Sequence, residues 1–129
     1  MHMDPVEVFT GKAPAPGGAY AQAQRAGSLI FCSGQIGIDP KTGKLVGGGI
    51  EAETRQAMRN LGAILDSAGA GLNRVVKVEA FLTDINDWKA FNAIYSEFFR
   101  EHKPARTTAS VSGLPLNAKV EIACIASLG

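Results

Sequence analysis

Two stretches far apart in the chain, LIFC at 29–32 and VEIACIA at 120–126, carry apolar residues at both odd and even positions. Side chains alternate faces along a strand, so Leu29 and Phe31 oppose Ile30 and Cys32, and Ile125 opposes Cys124. Strands of this kind need cover on both faces. Two helices are available to supply it. From Glu51 to Ala68, the residues Ala57, Leu61, Ile64, Leu65 and Ala68 recur at helical spacing, with Arg55, Arg59 and Asp66 opposite. A second helix, from about Asp87 to His102, aligns Trp88, Phe91, Tyr95 and Phe98 on one core-facing stripe. Asn86 or Asp87 is its candidate cap and Pro104 stops it.

The remaining strands follow from alternation and β-branched content. AYAQAQRAGSLIFCSGQIGID (19–39) reads as two strands broken at Ala26, Gly27 and Ser28, and VVKVEAFLTD (75–84) as a third. TTASVSG (107–113) and KVEIACIASL (119–128) supply the last two. GKAPAPGG (11–18) and DPKTG (39–43) are turn-forming, Glu51 and Glu53 suit the positive end of the first helix, and Gly69 suits its end. The order is ββαβαββ after an extended segment over 1–16, in one domain spanning 1–129. Strand–helix–strand crossovers are right-handed, so both helices lie on one face of a mixed sheet, giving an α+β two-layer sandwich. The other face is left bare and apolar, on the order of the few hundred Å² that a monomer tolerates, and the expected cover is another copy of the chain.

Charge and cysteine usage narrow the function. Lys plus Arg total 13 against 12 for Asp plus Glu, and no basic run occurs, so nucleic acid gains no electrostatic footprint. The sequence has no long uncharged apolar segment and no basic start leading into an apolar stretch, which predicts a cytoplasmic protein without a membrane span. Cys32 and Cys124 fall inside strands and read as core thiols. With only His2 and His102 as imidazoles, no metal site is expected.

One residue disturbs this pattern. Glu121 shares a strand face with Ala123 and Ile125, so it needs a cationic partner, a bound water or a raised pKa. Arg106, in KPARTTASV, is the natural partner, because the short connection after it predicts that the two C-terminal strands are neighbours. An arginine fork grips a carboxylate bidentately, whether that carboxylate belongs to the protein or to a ligand.

The segments GAYAQAQ (18–24), FCSGQIGIDPKTG (31–43), FNAIYSEFF (91–99), PART (104–107) and KVEIACIA (119–126) together resemble the RidA family, from about Gly17 to Ala126. These reactive intermediate deaminases are also called YjgF or endoribonuclease L-PSP proteins. The resemblance implies a chorismate-mutase-like fold, a homotrimer with ligand clefts between subunits, and neither cofactor nor metal. It implies hydrolysis of 2-aminoacrylate and 2-iminopropanoate to 2-keto acids and ammonia. Arg106 then matches the residue that binds the substrate carboxylate, and Glu121 the one that activates water. Tyr20, Ser33, Gly34 and Asn92 match other pocket positions. Thr108 stands where cysteine is common and contributes through its backbone N–H. On their own, Tyr20 also reads as interface packing, Ser33 as a strand hydroxyl bonded to backbone, and Asn92 as a brace. Two other functions compete: a regulatory trimer that binds 2-keto acids without turnover, and a ribonuclease or translation inhibitor.

Overall fold

The computed structural model describes residues 4–129, so His2 lies outside the described residues. Along the chain run β1 (Val6–Val8), β2 (Ala23–Ala26), β3 (Leu29–Gln35), β4 (Ile38–Asp39), β5 (Lys44–Leu45), α1 (Gly49–Ser67), β6 (Val75–Leu82), α2 (Trp88–Phe98), β7 (Ala105–Ser110) and β8 (Val120–Ser127). Six strands form one sheet in the order β1-β2-β3-β8-β6-β7, and β4 pairs with β5 alone. Only the β6–β7 pair is parallel, which makes the sheet mixed. Helix α1 packs on α2, β8 and β3, so both helices share one face of an α+β sandwich.

The expected elements form with shifts at their ends. Helix α2 stops at Phe98, because Phe99 leaves helical geometry at φ −129° and ψ 63°, and β7 begins at Ala105. Asp87, one of the two expected candidates, takes the N-cap position of α2, but its side chain makes no capping hydrogen bond. Instead the Asp84 carboxylate accepts the Asn86 N–H at 2.9 Å and opens a 3₁₀ turn, Ile85–Asp87, that leads into the helix. Gly69 ends α1 at φ +82°, with the Ala70 N–H donating to the Leu65 carbonyl and the Gly69 N–H to the Asp66 carbonyl. The segment expected to be merely extended contains β1, which pairs with β2 and places Val6 opposite Arg25. Three residues are too few to display a period.

The core lies between helices and sheet. Ile30, Val78, Leu82, Val120, Ile122 and Ala126 meet Leu61, Ile64, Leu65 and Phe91 there, and the free thiols of Cys32 and Cys124 are buried among them. The opposite face is open and presents apolar side chains, Leu29 38 % exposed, Phe31 42 % and Val76 45 %, beside the charged Lys77 and Glu79 of β6. Glu53 does more than face the helix dipole. Its buried carboxylate, in the second turn of α1, accepts the Lys119 N–H at 2.8 Å and ties that helix to the start of β8.

One expectation fails. Strands β7 and β8 are not neighbours, because β6 lies between them. The β6–α2–β7 crossover returns β7 to the edge of the strand it left, and β8 occupies the other edge.

Candidate active site

Alternation along β8 turns Val120, Ile122, Cys124 and Ala126 toward the helices and Glu121 to the open face. Beside it the β3–β8 register slips between Cys32 and Gln35, and Gly34 lies in that irregularity. The Glu121 carboxylate packs directly on the Gly34 backbone. Burial pushes the Glu121 carboxyl above the usual carboxylate range, and no cation or hydrogen-bond donor among the described residues compensates it. The carboxylate lines a cavity of about 320 Å³ with Tyr20, Gly34, Ile36, Ile38 and Leu116.

The Tyr20 loop is held from below. The Ser33 hydroxyl donates to the Ala21 carbonyl at 2.6 Å, and the Ser33 N–H donates to the Gln22 carbonyl at 2.9 Å. Ser33 therefore braces the loop with its side chain, as a strand hydroxyl would. The Tyr20 ring is exposed, and its hydroxyl accepts the Gly17 N–H at 3.1 Å. Gln22 completes the support. Its buried amide accepts from the Thr10 N–H at 2.7 Å and donates to the carbonyls of Thr10 and Pro14, each at 3.0 Å.

A second group of expected residues assembles elsewhere. The Arg106 guanidinium lies 5.1 Å from the ring centre of Trp88, 5.3 Å from that of Phe91 and 4.7 Å from that of Tyr95. Three rings hold this cation in place through cation–π contact, and no acidic side chain among the described residues pairs with it. Arg106, Asn92, Tyr95 and Lys103 line a cavity of about 250 Å³. The Asn92 side-chain amide has no hydrogen-bond partner among the described residues, so it is not the brace it resembled. Thr108 follows Arg106 on the same face of β7, its hydroxyl buried and unpartnered. Burial pushes the Tyr95 hydroxyl up in pKa, opposed by the charge of Arg106.

Tyr95, like Phe91 and Trp88, read as core because helical spacing accounted for it. Phe91 is core, but Trp88 is 43 % exposed and stands over Arg106. Trp88 opens α2, where the neighbouring turn covers it less than the later turns. Gln22 and Leu116 carried no sequence signal.

Arg106 and Glu121 do not meet within one chain. Arg106 is in register with Val78 and Glu121 with Phe81, and these two β6 residues are three apart, so their partners point to opposite faces. The expected site residues thus divide into a Glu121 half with Tyr20, Ser33 and Gly34, and an Arg106 half with Asn92 and Thr108. Among the described residues no three His, Cys, Asp or Glu side chains gather as a metal set, and no helix is long and apolar enough to cross a membrane.

The model of the family described as endoribonuclease L-PSP matches residues 10–128, which includes both halves of the site. The chain belongs to this family. Among its endoribonuclease L-PSP relatives, a RutC family protein of Pyrococcus horikoshii is 50% identical over 119 residues, covering 92% of this chain and 94% of that one. The 2-iminobutanoate/2-iminopropanoate deaminase of Rattus norvegicus is 46% identical over 122 residues, covering 95% of this chain and 89% of that one. The crystal structure of RidA from the Antarctic bacterium Psychrobacter sp. PAMC 21119 superposes with a TM-score of 0.91 at 38% identity, covering 95% of this chain and 98% of that one.

Proposed function

We propose that the chain hydrolyses small 2-imino acids and their enamine tautomers, 2-iminopropanoate and 2-aminoacrylate among them, to 2-keto acids and ammonia. The observation that carries this reading is a pair of unneutralised groups: the half-buried Glu121 carboxylate on the Gly34 backbone, and the Arg106 cation held among three rings. A 2-imino acid requires those two groups. Its carboxylate sits one bond from the electrophilic carbon, so a bidentate arginine fixes that carbon relative to a waiting water.

Glu121 takes a proton from the water as its oxygen bonds to the imine carbon, and the nitrogen gains a proton to give a carbinolamine. The carbinolamine hydroxyl then loses its proton, the C–N bond breaks with its electron pair, and ammonia leaves with the proton it needs. The raised pKa of Glu121 suits both proton transfers. Tyr20 closes one wall and Gly34 leaves room for the carboxylate. Asn92 and the Thr108 backbone N–H hold the substrate beside Arg106.

The two halves meet between subunits. A homotrimer that buries Leu29, Phe31 and Val76 on the open sheet face brings Arg106 of one subunit to Glu121 of its neighbour. Free thiols at Cys32 and Cys124 agree with a cytoplasmic setting. The named activity of the rat relative supports the reaction class. A net charge of +1 gives RNA no attraction, despite the family description.

The test generates 2-iminopropanoate with an amino-acid oxidase and traps what survives with semicarbazide. Wild type is expected to remove the imine and Arg106→Ala to match buffer. A folded wild type that matches buffer across several imines, yet binds 2-keto acids saturably, would replace the enzyme with a keto-acid-binding regulator.

A further inference from the structure

Leu116 combines three features that stability does not explain. Its side chain is 62 % exposed, it lines the Glu121 cavity, and its backbone is left-handed at φ +58° and ψ 23°. Leu116 and Asn117, at φ +57°, are the only described non-glycine residues at positive φ. Leucine is a poor choice for that conformation, because its Cβ crowds the following carbonyl. Strain retained at a cavity mouth, for a side chain that buries little, points to a contact with something outside the chain.

The turn bearing Leu116 is fixed on its C-terminal side. The Ala118 N–H donates to the Pro115 carbonyl at 3.1 Å, Ala118 is buried, and the next N–H, of Lys119, is held by Glu53. The leucine is therefore carried on an anchored turn. Pro14, Pro16, Ile36 and Ile38 line the same cavity, with Gln22 and Gln35 among its polar members, so much of the wall around Glu121 is apolar. The side chain of 2-iminopropanoate is a single methyl, which meets little of this wall, whereas a longer apolar side chain meets more of it.

We infer that Leu116 is a specificity-determining residue, which makes the site favour 2-imino acids with extended apolar side chains over the imine of alanine. This rests on the imine-hydrolysis reading. The carboxylate stays with Arg106 and the imine carbon with Glu121, while the substrate side chain packs between Leu116 and the isoleucines. No new chemical step is involved, only differential binding of the side chain in the transition state.

The experiment compares kcat/KM for imines generated from leucine, methionine, glutamine and alanine in wild type, Leu116→Ala and Leu116→Gly. The glycine variant relieves the left-handed strain, so it stays folded even if the alanine variant does not. Wild type is expected to favour the leucine and methionine imines over those of glutamine and alanine. Both variants are expected to lose about tenfold on the leucine imine and less than about twofold on the alanine imine, the selectivity of an apolar contact. Unchanged ratios in Leu116→Gly, with wild type active on all four, would overturn the role of Leu116 and leave the reaction standing. A folded wild type inactive on all four would remove the reaction itself, and the inference with it.

Discussion

The Glu121 carboxylate occupies the space where a β-carbon on Gly34 would stand, with Oε1 2.7 Å, Cδ 2.8 Å and Cγ 2.9 Å from that position. Gly34→Ala must push the carboxylate away, and the movement falls on the proposed base. Activity on 2-iminopropanoate is expected to fall about 10²-fold, the cost of misplacing a catalytic group by about an ångström. Circular-dichroism melts should show a folded protein, since the displaced group is a side chain at a cavity wall.

Arg106 contributes both a fork and a flat face. Arg106→Lys keeps the charge but loses bidentate geometry and stacking on Trp88 and Tyr95. A loss of about 1.5–3 kcal/mol, the worth of a charge-assisted hydrogen bond, corresponds to a fall of about 13- to 160-fold in kcat/KM, carried mainly by KM. Steady-state kinetics on 2-iminopropanoate measure the split.

Because Arg106 and Glu121 face opposite sides of the sheet, two inactive variants should repair each other. Arg106→Ala and Glu121→Gln chains, unfolded together and refolded at equal ratio, are expected to regain about a quarter of wild-type activity, since in the proposed homotrimer random mixing gives each intersubunit cleft both intact residues that often. Each variant refolded alone stays inactive. Native mass spectrometry of the mixture checks that mixed trimers have formed.

Glu121 should cost stability where it is ionised. Burial raises its carboxyl in the folded chain, so the folded state binds that proton more tightly than the unfolded state. Stability from this group is present at low pH and is lost as pH rises through the folded value. Glu121→Gln is therefore expected to melt above wild type at about pH 8, the difference closing toward about pH 4 as both side chains become neutral. The same sign places the acid limb of wild-type activity above the usual carboxylate range, because the base must be ionised. Thermal melts and a pH–rate profile test the two halves of this statement.

Glu53 carries a structural bond that a substitution exposes. Glu53→Ala leaves the Lys119 N–H without its acceptor at the start of β8 and is expected to cost about 1–3 kcal/mol. Chemical denaturation measures the loss. The Leu116 turn precedes that bond directly, so selectivity among imines should weaken together with stability.

Local patterns in the sequence were sufficient for most of the fold. Alternation in VEIACIA sets the buried and open faces of β8, helical spacing sets α1, and apolar residues of both parities in LIFC anticipate the open sheet face. The types of Arg106 and Glu121 were legible because a cation and a carboxylate stand out against apolar neighbours. Gln22 was not, because its four contacts reach back to residues 10–14 and leave no periodic trace. Trp88 was mistaken for core, while Tyr95 is core and also faces the Arg106 cation, because one stripe on a helix can serve packing and a cation at once.

Sequence by itself determined the element types, the face of each strand and the chemistry available at two positions, since these follow from residues a few places apart. Only the tertiary structure decided that β6 separates β7 from β8, and therefore that Arg106 and Glu121 belong to different halves of a site. Strand order arises from crossovers and edge pairing between segments far apart in the chain, and no local pattern records it.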